Sequence, residues 1–215
     1  MEITYLGHSC FKIVGKKISI LTDPFDPKFV GLKLSKQDAD VVTVSHSHPD
    51  HNYLAIMKND DYLLLDSPGE YEVKESEFVG VEASHGVVEG VDKGKITMFA
   101  FEVDGVKVAH LGDLGTELTN AQLDCLDGVD VLMVPVGGYY TIDAKTAVKV
   151  ISQIEPKIVI PMHFKDGQSI PNIEKLSPLD SFFHEMAVTP EPQDRLKIVE
   201  KDLPLELQVV NLKVS

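Results

Sequence analysis

Three imidazoles and a carboxylate fall within six residues in the stretch Ser45-His46-Ser47-His48-Pro49-Asp50-His51. Neutral imidazole nitrogen and carboxylate oxygen are the donors that Zn²⁺ and similar divalent ions take, and one short turn can aim several of them at one volume. The run Val41-Val42-Thr43-Val44 stands directly before them and reads as a buried strand, so the polar side chains begin where that strand ends. The same arrangement recurs further along. The strand Phe78 to Ala83 runs into His85, Val106 to Ala109 into His110-Leu111-Gly112-Asp113, and Lys157 to Pro161 into Met162-His163. Four strand ends thus present His46, His48, Asp50 and His51, then His85, Asp113 and His163. These are five histidines and two carboxylates in a chain of eight histidines. Seven donors exceed the needs of one tetrahedral ion and suit two ions that share a carboxylate and a water.

The elements that must position these groups begin as a meander of Glu2 to Leu6, Cys10 to Val14 and Lys17 to Thr22, the last two joined at Gly15-Lys16. His8, between the first two strands, reads by itself as a turn histidine, and Asp23, which opens the loop Asp23-Pro24-Phe25-Asp26-Pro27, as a carboxylate able to hold a ligand imidazole. Asn52 to Met57 is compatible with a short helix. Tyr62 to Leu65 and Glu72 to Lys74 read as strands around a turn at Ser67-Pro68-Gly69. Asp104-Gly105 between Ile96 to Val103 and Val106 to Ala109 is a strong hairpin signal. Thr119 can cap a helical stretch with Ala121, Leu123 and Leu126. Val129 to Val136 is a buried strand broken at Gly137-Gly138-Tyr139-Tyr140. Asp143 can cap a helix from Ala144 to Ile154 whose Ala147, Val148, Ile151 and Ile154 form a core stripe, and Pro156 stops it. A helix over Leu179 to Met186, carrying His184, and strands near Leu196 to Val199 and Leu205 to Lys213 complete the chain. No linker or low-complexity segment divides it, so residues 1–215 read as a single α/β (α+β) domain: two packed sheets with helices on the outer faces, a four-layer αβ/βα sandwich.

Composition narrows the class. Hydrophobic residues at 43% and charged residues at 25% are those of an ordinary soluble globular protein. No apolar run approaches the roughly 18 to 20 residues of a membrane helix, and the N-terminus has no basic region followed by an apolar one. Two cysteines make no disulfide framework, which suits a reducing cytoplasm. A formal charge of -14 repels phosphate backbones and disfavours a large nucleic-acid surface. The expected partner is a small-molecule substrate, with no membrane.

At this point the sequence resembles the metallo-β-lactamase superfamily, whose H-x-H-x-D-H signature stands as His46-Ser47-His48-Pro49-Asp50-His51. Thr4-Tyr5-Leu6-Gly7-His8-Ser9, Gly112-Asp113 and Pro161-Met162-His163-Phe164 extend the likeness over residues 1 to about 165. The short Gly-His-Ser opening is most similar to the cytoplasmic ascorbate-6-phosphate lactonase-like branch of metal-dependent hydrolases. The resemblance implies the αβ/βα sandwich and two divalent ions, zinc first, with manganese, nickel or iron as alternatives. It implies His46, His48 and His85 on the first ion, Asp50, His51 and His163 on the second, and Asp113 between them. His110 competes for the position given to His85 but stands three residues before Asp113, where on a strand it points to the opposite side. Exported members with a mixed site commonly carry cysteine where Asp113 stands. Di-iron redox members carry an acidic residue where His48 stands, and repair nucleases need far more chain than the fifty residues between Asp113 and His163. What remains is a small hydrolase. The family gives a hint of homo-oligomers.

The chemistry expected is hydrolysis by a hydroxide held between two ions, with Asp50 orienting it or taking a proton, on a small ester, lactone or related substrate. Tyr139 and Tyr140 follow a buried strand at the ligand edge and could meet substrate or a developing oxyanion, or simply pack on the loop. Lys165 could meet a carboxylate or phosphate. Cys10 reads as a small buried residue rather than a nucleophile. Phosphodiester cleavage on the same ions and a non-catalytic metal-binding scaffold are the alternatives. The second fits poorly, because structural zinc needs four closed ligands and not seven.

Overall fold

A computed structural model of the chain describes residues 1–166 and 173–215. The chain opens with β1 (Glu2–Gly7), β2 (Cys10–Val14), β3 (Ser19–Thr22), the single turn α1 (Pro27–Val30), β4 (Val41–Thr43) and β5 (Leu63–Leu65). There follow β6 (Gly69–Val73), β7 (Ser76–Ser84), the short pair β8 (Val87–Val88) and β9 (Val91–Asp92), β10 (Lys95–Val103), β11 (Val106–His110), α2 (Asn120–Cys125) and β12 (Val131–Pro135). The remainder is α3 (Ala144–Ile154), β13 (Ile158–Met162), α4 (Leu179–Glu185), β14 (Pro192–Gln193), β15 (Leu196–Lys197), β16 (Gln208–Val209) and β17 (Asn211–Leu212).

Among the described residues the strands form a six-stranded sheet ordered β15-β1-β2-β3-β4-β5 and a seven-stranded sheet ordered β16-β13-β12-β11-β10-β7-β6. The main core lies between them and joins Ile3, Tyr5, Phe11 and Ile20 of the first sheet to Phe99, Phe101, Met133 and Ile160 of the second. Every residue of β12 and β13 is buried, as expected of parallel strands covered on both faces. Helices α3 and α4 pack together on the outside of the second sheet, with Ala144, Ala147, Val150 and Ile151 of α3 turned inward. On the outside of the first sheet a second apolar cluster gathers Leu21, Phe25, Val30, Val42 and Ile56 around α1 and its flanking loops. The layers are those of an αβ/βα sandwich, with the first outer layer built mostly of irregular chain.

Strand direction explains why the polar strand ends meet. In the first sheet β1 is antiparallel to β2, β2 to β3, and β3 is parallel to β4, so β1 and β4 finish on the same edge. In the second, β7 and β11 both run against β10, and β11, β12 and β13 are parallel, so all four again finish together. Hydrogen bonds from Thr97 N to Ser45 O (2.8 Å) and from His163 N to His8 O (2.8 Å) join the two edges. Ligands of open α/β sheets collect at the carboxyl ends of strands for the same reason.

Several local expectations differ from the fold. Asn52 to Met57 makes only one tight turn, Leu54–Ile56, because Tyr53 N is drawn to Pro24 O at 2.7 Å. The bend expected at Ser67-Pro68-Gly69 stands between β5 and β6, but the strand expected at Glu72 to Lys74 begins already at Gly69 and ends at Val73, where a further turn at Lys74-Glu75, both with positive φ, leads into β7 as a two-residue hairpin demands. Leu205 to Lys213 is divided between β16 and β17, which pair with different strands. The α3 boundaries, the Asp143 cap and the Asp104-Gly105 hairpin stand as read from sequence.

Candidate metal centre

The turn after β4 is held from behind by Asp23. One carboxylate oxygen of Asp23 accepts from Ser45 N (2.7 Å), and the other accepts from Ser45 Oγ (2.6 Å) and lies 2.8 Å from His51 Nδ1. His51 is thereby oriented with Nε2 toward the interior of the site, the arrangement that a carboxylate behind a ligand imidazole enforces. Since the Ser45 hydroxyl proton goes to Asp23, its oxygen accepts from His46 Nδ1 at 3.0 Å, which directs His46 Nε2 toward His48 Nδ1, 2.8 Å away. Backbone bonds from His51 N and Asn52 N to His48 O close the turn, and Asp26 N to Pro49 O anchors it to the loop after β3.

Asp113 lies at the centre. Its Oδ1 is 3.2 Å from His51 Nε2 and 3.3 Å from His163 Nε2, while its Oδ2 is 3.6 Å from His85 Nε2 and 3.9 Å from His46 Nε2. Two donors bound to one tetrahedral ion at about 2.0–2.1 Å stand about 3.3–3.4 Å apart, so these separations suit ligand pairs. Asp113 Oδ1, His51 Nε2 and His163 Nε2 are buried with no hydrogen-bond partner of acceptable geometry among the described residues. Orphaned buried polar atoms are costly and need an explanation; facing one another, these have the chemistry and the spacing of an ion's ligands. Three overlapping groups of donors lie within 4.8 Å of one another: His46, His48 and His85; His46, His51 and Asp113; and His8, Asp50, His51 and His163.

The electrostatics agree. Burial alone would raise the Asp113 carboxyl, but the His163 and His51 imidazoles outweigh it and hold it well below the usual range. Burial opposes protonation of His51, yet the Asp113 and Asp50 carboxylates raise it well above the ordinary imidazole value. For Asp50, burial acts upward and His51, with His8, pulls it far down. Burial, reinforced by His51, lowers His46 to about 3. Two carboxylates are thus held ionised beside His46 and His85, whose protonation burial opposes, a donor set suited to cations.

The β-lactamase superfamily domain model matches residues 2–163, three quarters of the chain. The chain belongs to this superfamily. A metal-dependent hydrolase of the UPF0173 group from Thermococcus onnurineus is 30% identical over 191 residues, covering 76% of this chain and 84% of that protein. An Archaeoglobus fulgidus member of the same group is 28% identical and covers 99% of this chain and 96% of its own length. A crystal structure from Thermotoga maritima, described as a presumptive Zn-dependent hydrolase of the metallo-β-lactamase superfamily, is 38% identical with a TM-score of 0.79 and covers 98% of this chain and 97% of that one. The protein is a metal-dependent hydrolase of the metallo-β-lactamase superfamily.

In this superfamily member His85 and His110 differ in their hydrogen bonding. His110 is fully buried, with Nε2 2.8 Å from Ser9 O and Nδ1 accepting from Gly112 N at 3.3 Å. Both of its nitrogens are engaged, and it fastens the Gly112-Asp113 segment to the β1–β2 turn, while His85 faces Asp113. Asp23 stands behind the ligand turn, as its place in the sequence suggested. His8 departs from the reading as a simple turn histidine: it is 2% exposed, and its Nε2 is 3.2 Å from Asp50 Oδ2. Burial first, and then His163, lower its pKa to about 4. Cys10 is fully buried, and burial pushes its thiol up, as befits a packing residue.

A cavity of about 200 Å³ opens onto the cluster, lined by Phe29, His48, Pro49, Asp50, His85, Lys93, Asp113 and Tyr140. The two tyrosines divide. Tyr140 lines the cavity, its hydroxyl proton held more firmly by burial and by Tyr139. Tyr139 turns outward, its hydroxyl bonding Glu89 Oε1 at 2.5 Å and meeting Lys175. Lys165 extends along the surface to Glu174 O at 3.4 Å and does not line the cavity; the basic group that does is Lys93. Lys93 and Phe29 escaped the sequence reading. Lys93 follows the β8–β9 hairpin, which closes at Glu89-Gly90, both at positive φ, and Phe29 is carried by the turn of α1, whose Asp26-Pro27 start is a local signal for the turn but not for the cavity.

Proposed function

We propose that this protein hydrolyses a small ester or lactone with a dinuclear divalent-metal centre, zinc first among the candidate ions. His46, His48 and His85 would hold one ion, Asp50, His51 and His163 the other, and Asp113 both. The observation that carries the reading is the division of Asp113: its two oxygens face two different sets of imidazoles. Bound there, two divalent ions supply a Lewis acid for the substrate oxygen and bring a water's pKa toward neutrality.

The chain's own groups supply the rest. Asp50 borders the cavity, and its carboxylate, held ionised, accepts a hydrogen bond from the attacking water and orients it. The Tyr140 hydroxyl, protonated at neutral pH, donates to the oxygen that gains charge in the tetrahedral transition state. Phe29 and Pro49 give an apolar wall, and the Lys93 ammonium favours a substrate with an anionic group near the scissile bond. The cavity is smaller than the ~300–1,000 Å³ pockets of drug-sized ligands, which supports a compact substrate. An anionic lactone of the kind taken by the ascorbate-6-phosphate lactonase-like branch fits that description. Lys93 equally supports a small phosphodiester as the second reading, whereas the charge of -14 counts against a polynucleotide. The protein's setting on this reading is the cytoplasm.

A panel of lactones, esters, thioesters, β-lactams and bis(p-nitrophenyl) phosphate, assayed with metal-loaded and metal-stripped protein, tests both. Turnover should require metal, favour the lactone and ester arm, and collapse in Asp50→Asn and His48→Ala together with metal content. Stripped protein that still turns over its substrate overturns the proposal, and activity confined to the phosphodiester selects the second reading.

A further inference from the structure

His8 has a conformation that closing a turn does not require. Its φ is +56°, in the left-handed region that a non-glycine residue occupies at a cost. Its carbonyl accepts two hydrogen bonds, from Tyr5 Oη at 2.9 Å and from His163 N at 2.8 Å, which pin the backbone of the β1–β2 turn to the end of β13. The ring that this clamp delivers is buried, lies 4.2 Å from the His163 ring and 5.2 Å from the His51 ring between centroids, and aims Nε2 at Asp50 Oδ2. Asp50 Oδ2 is itself 3.6 Å from His51 Nε2, and among the described residues His51 Nε2 and both His163 nitrogens have no hydrogen-bond partner. One donor atom from each of His8, Asp50, His51 and His163 falls within 4.8 Å of the others.

We infer that His8 is a ligand of the second ion, a fourth side-chain donor beside Asp50, His51 and His163, with Asp113 Oδ1 as the fifth. The inference rests on the dinuclear reading above and goes beyond the seven ligands that the signature implies. It makes the two sites unequal. The second is closed by five donors, nearly all buried. The first has only His46, His48, His85 and Asp113 Oδ2, with His48 exposed at the rim and the cavity opening against His48, His85 and Asp113, so it is the less enclosed of the two. The second site therefore fills first and holds its ion longer, and exchangeable water and substrate belong to the first. A set of three imidazoles and two carboxylates is also one that manganese, iron and nickel accept as readily as zinc in geometry.

Cobalt titration of chelator-stripped full-length protein tests this through coordination rather than turnover. With one equivalent of Co²⁺, the wild type should show the weak visible absorption of a five-coordinate ion and three hyperfine-shifted histidine ring signals, from His8, His51 and His163. His8→Ala should lose one of those signals, gain visible absorptivity as coordination falls to four, and bind the first equivalent ~10–100-fold more weakly, with the second equivalent unaltered. An unchanged spectrum and signal count in His8→Ala would mean that the imidazole only braces Asp50, and would overturn the inference while leaving the dinuclear reading intact. Should that variant not fold, the wild-type spectrum decides: two shifted signals at the first equivalent overturn the ligand role, and three, with one lost in His8→Gln, support it. Failure of the wild type to bind two equivalents would instead sink the dinuclear reading.

Discussion

At the scale of single residues, the candidate site depends on the groups that orient its imidazoles as much as on the imidazoles themselves. Asp23 accepts from Ser45 N and Ser45 Oγ and orients His51 through Nδ1. Asn at this position keeps one acceptor but turns an amide N–H₂ toward the Ser45 hydroxyl and the His51 N–H, donor against donor. Asp23→Asn should weaken binding of the second ion by ~10–100-fold and lower stability by about 1–3 kcal/mol, read by chelator competition and urea unfolding. Tyr140→Phe removes only a hydroxyl at the cavity wall. On the true substrate it should cut kcat by ~10²–10³ while metal content stays at the wild-type level, the scale of losing one oxyanion donor. Unchanged kcat would remove Tyr140 from the chemistry. Of these groups Asp23 could be picked out in sequence, because a carboxylate just after a strand end is a natural partner for a ligand imidazole. Lys93 could not, because nothing local distinguishes a lysine whose hairpin folds back over a cavity from one in solvent.

At the scale of elements, the ligand-bearing loops cross other loops at contact distance, and two glycines permit it. A Cβ on Gly115 would stand 2.1 Å from the carbonyl oxygen of His85, and one on Gly137 at 2.1 Å from that of His163. Either backbone must move if a methyl is added, and the histidine moves with it. Gly137→Ala should cost about 1–3 kcal/mol, seen as a melting temperature lower by roughly 2–4 °C per kcal/mol, with a parallel loss of metal affinity. A stability loss with metal affinity intact would separate the crossing from the site. Helix α3 offers the contrast. Asp143 caps it through Thr146 N at 2.8 Å, so Asp143→Ala should cost about 1 kcal/mol and leave metal binding alone. The cap, the helix and its proline stop were all legible in sequence, because capping and helical periodicity are decided within a few residues. The β8–β9 hairpin was not, because two two-residue strands carry almost no pattern.

At the scale of the whole molecule, the ligand edge is where the two sheets are joined, so the metal-free protein should be measurably weaker. A ligand at 100 times its Kd adds about 2.7 kcal/mol, and stripping with a chelator should lower the melting temperature accordingly. The stripped protein should also be acid-sensitive. His8 is depressed to about 4 and His46 to about 3, and burial lowers His85 and His110 as well. The unfolded chain, with imidazoles near 6.5, binds more protons below that pH than the folded one, so stability falls as pH drops from about 6.5. Asp113 and Asp50, held low, add a further loss once pH falls below about 4. His51 acts oppositely: its raised pKa contributes stability that is complete below about 6.5 and fades as pH rises through its folded value. With four lowered imidazoles against one raised, the urea midpoint of stripped protein should fall between about pH 7 and 5. A flat or rising midpoint would contradict the charge pattern of the site.

What belonged to the sequence by itself was the turn after β4, with its four donors within six residues, and the habit of ending strands on histidine or aspartate. Both are local, since a turn sets its own geometry and a strand end needs no partner to be recognised. With them came the superfamily, the layered fold and the metal dependence. Tertiary structure decided how the strand ends meet. Only the pairing of strands across two sheets turns β1, β4, β7, β11 and β13 toward one edge, divides the oxygens of Asp113 between two groups of imidazoles, and sets His85 rather than His110 beside it. The same pairing carries His8 from a turn beside β2 to Asp50, 42 residues away in the chain, and that separation is why no local pattern announces it.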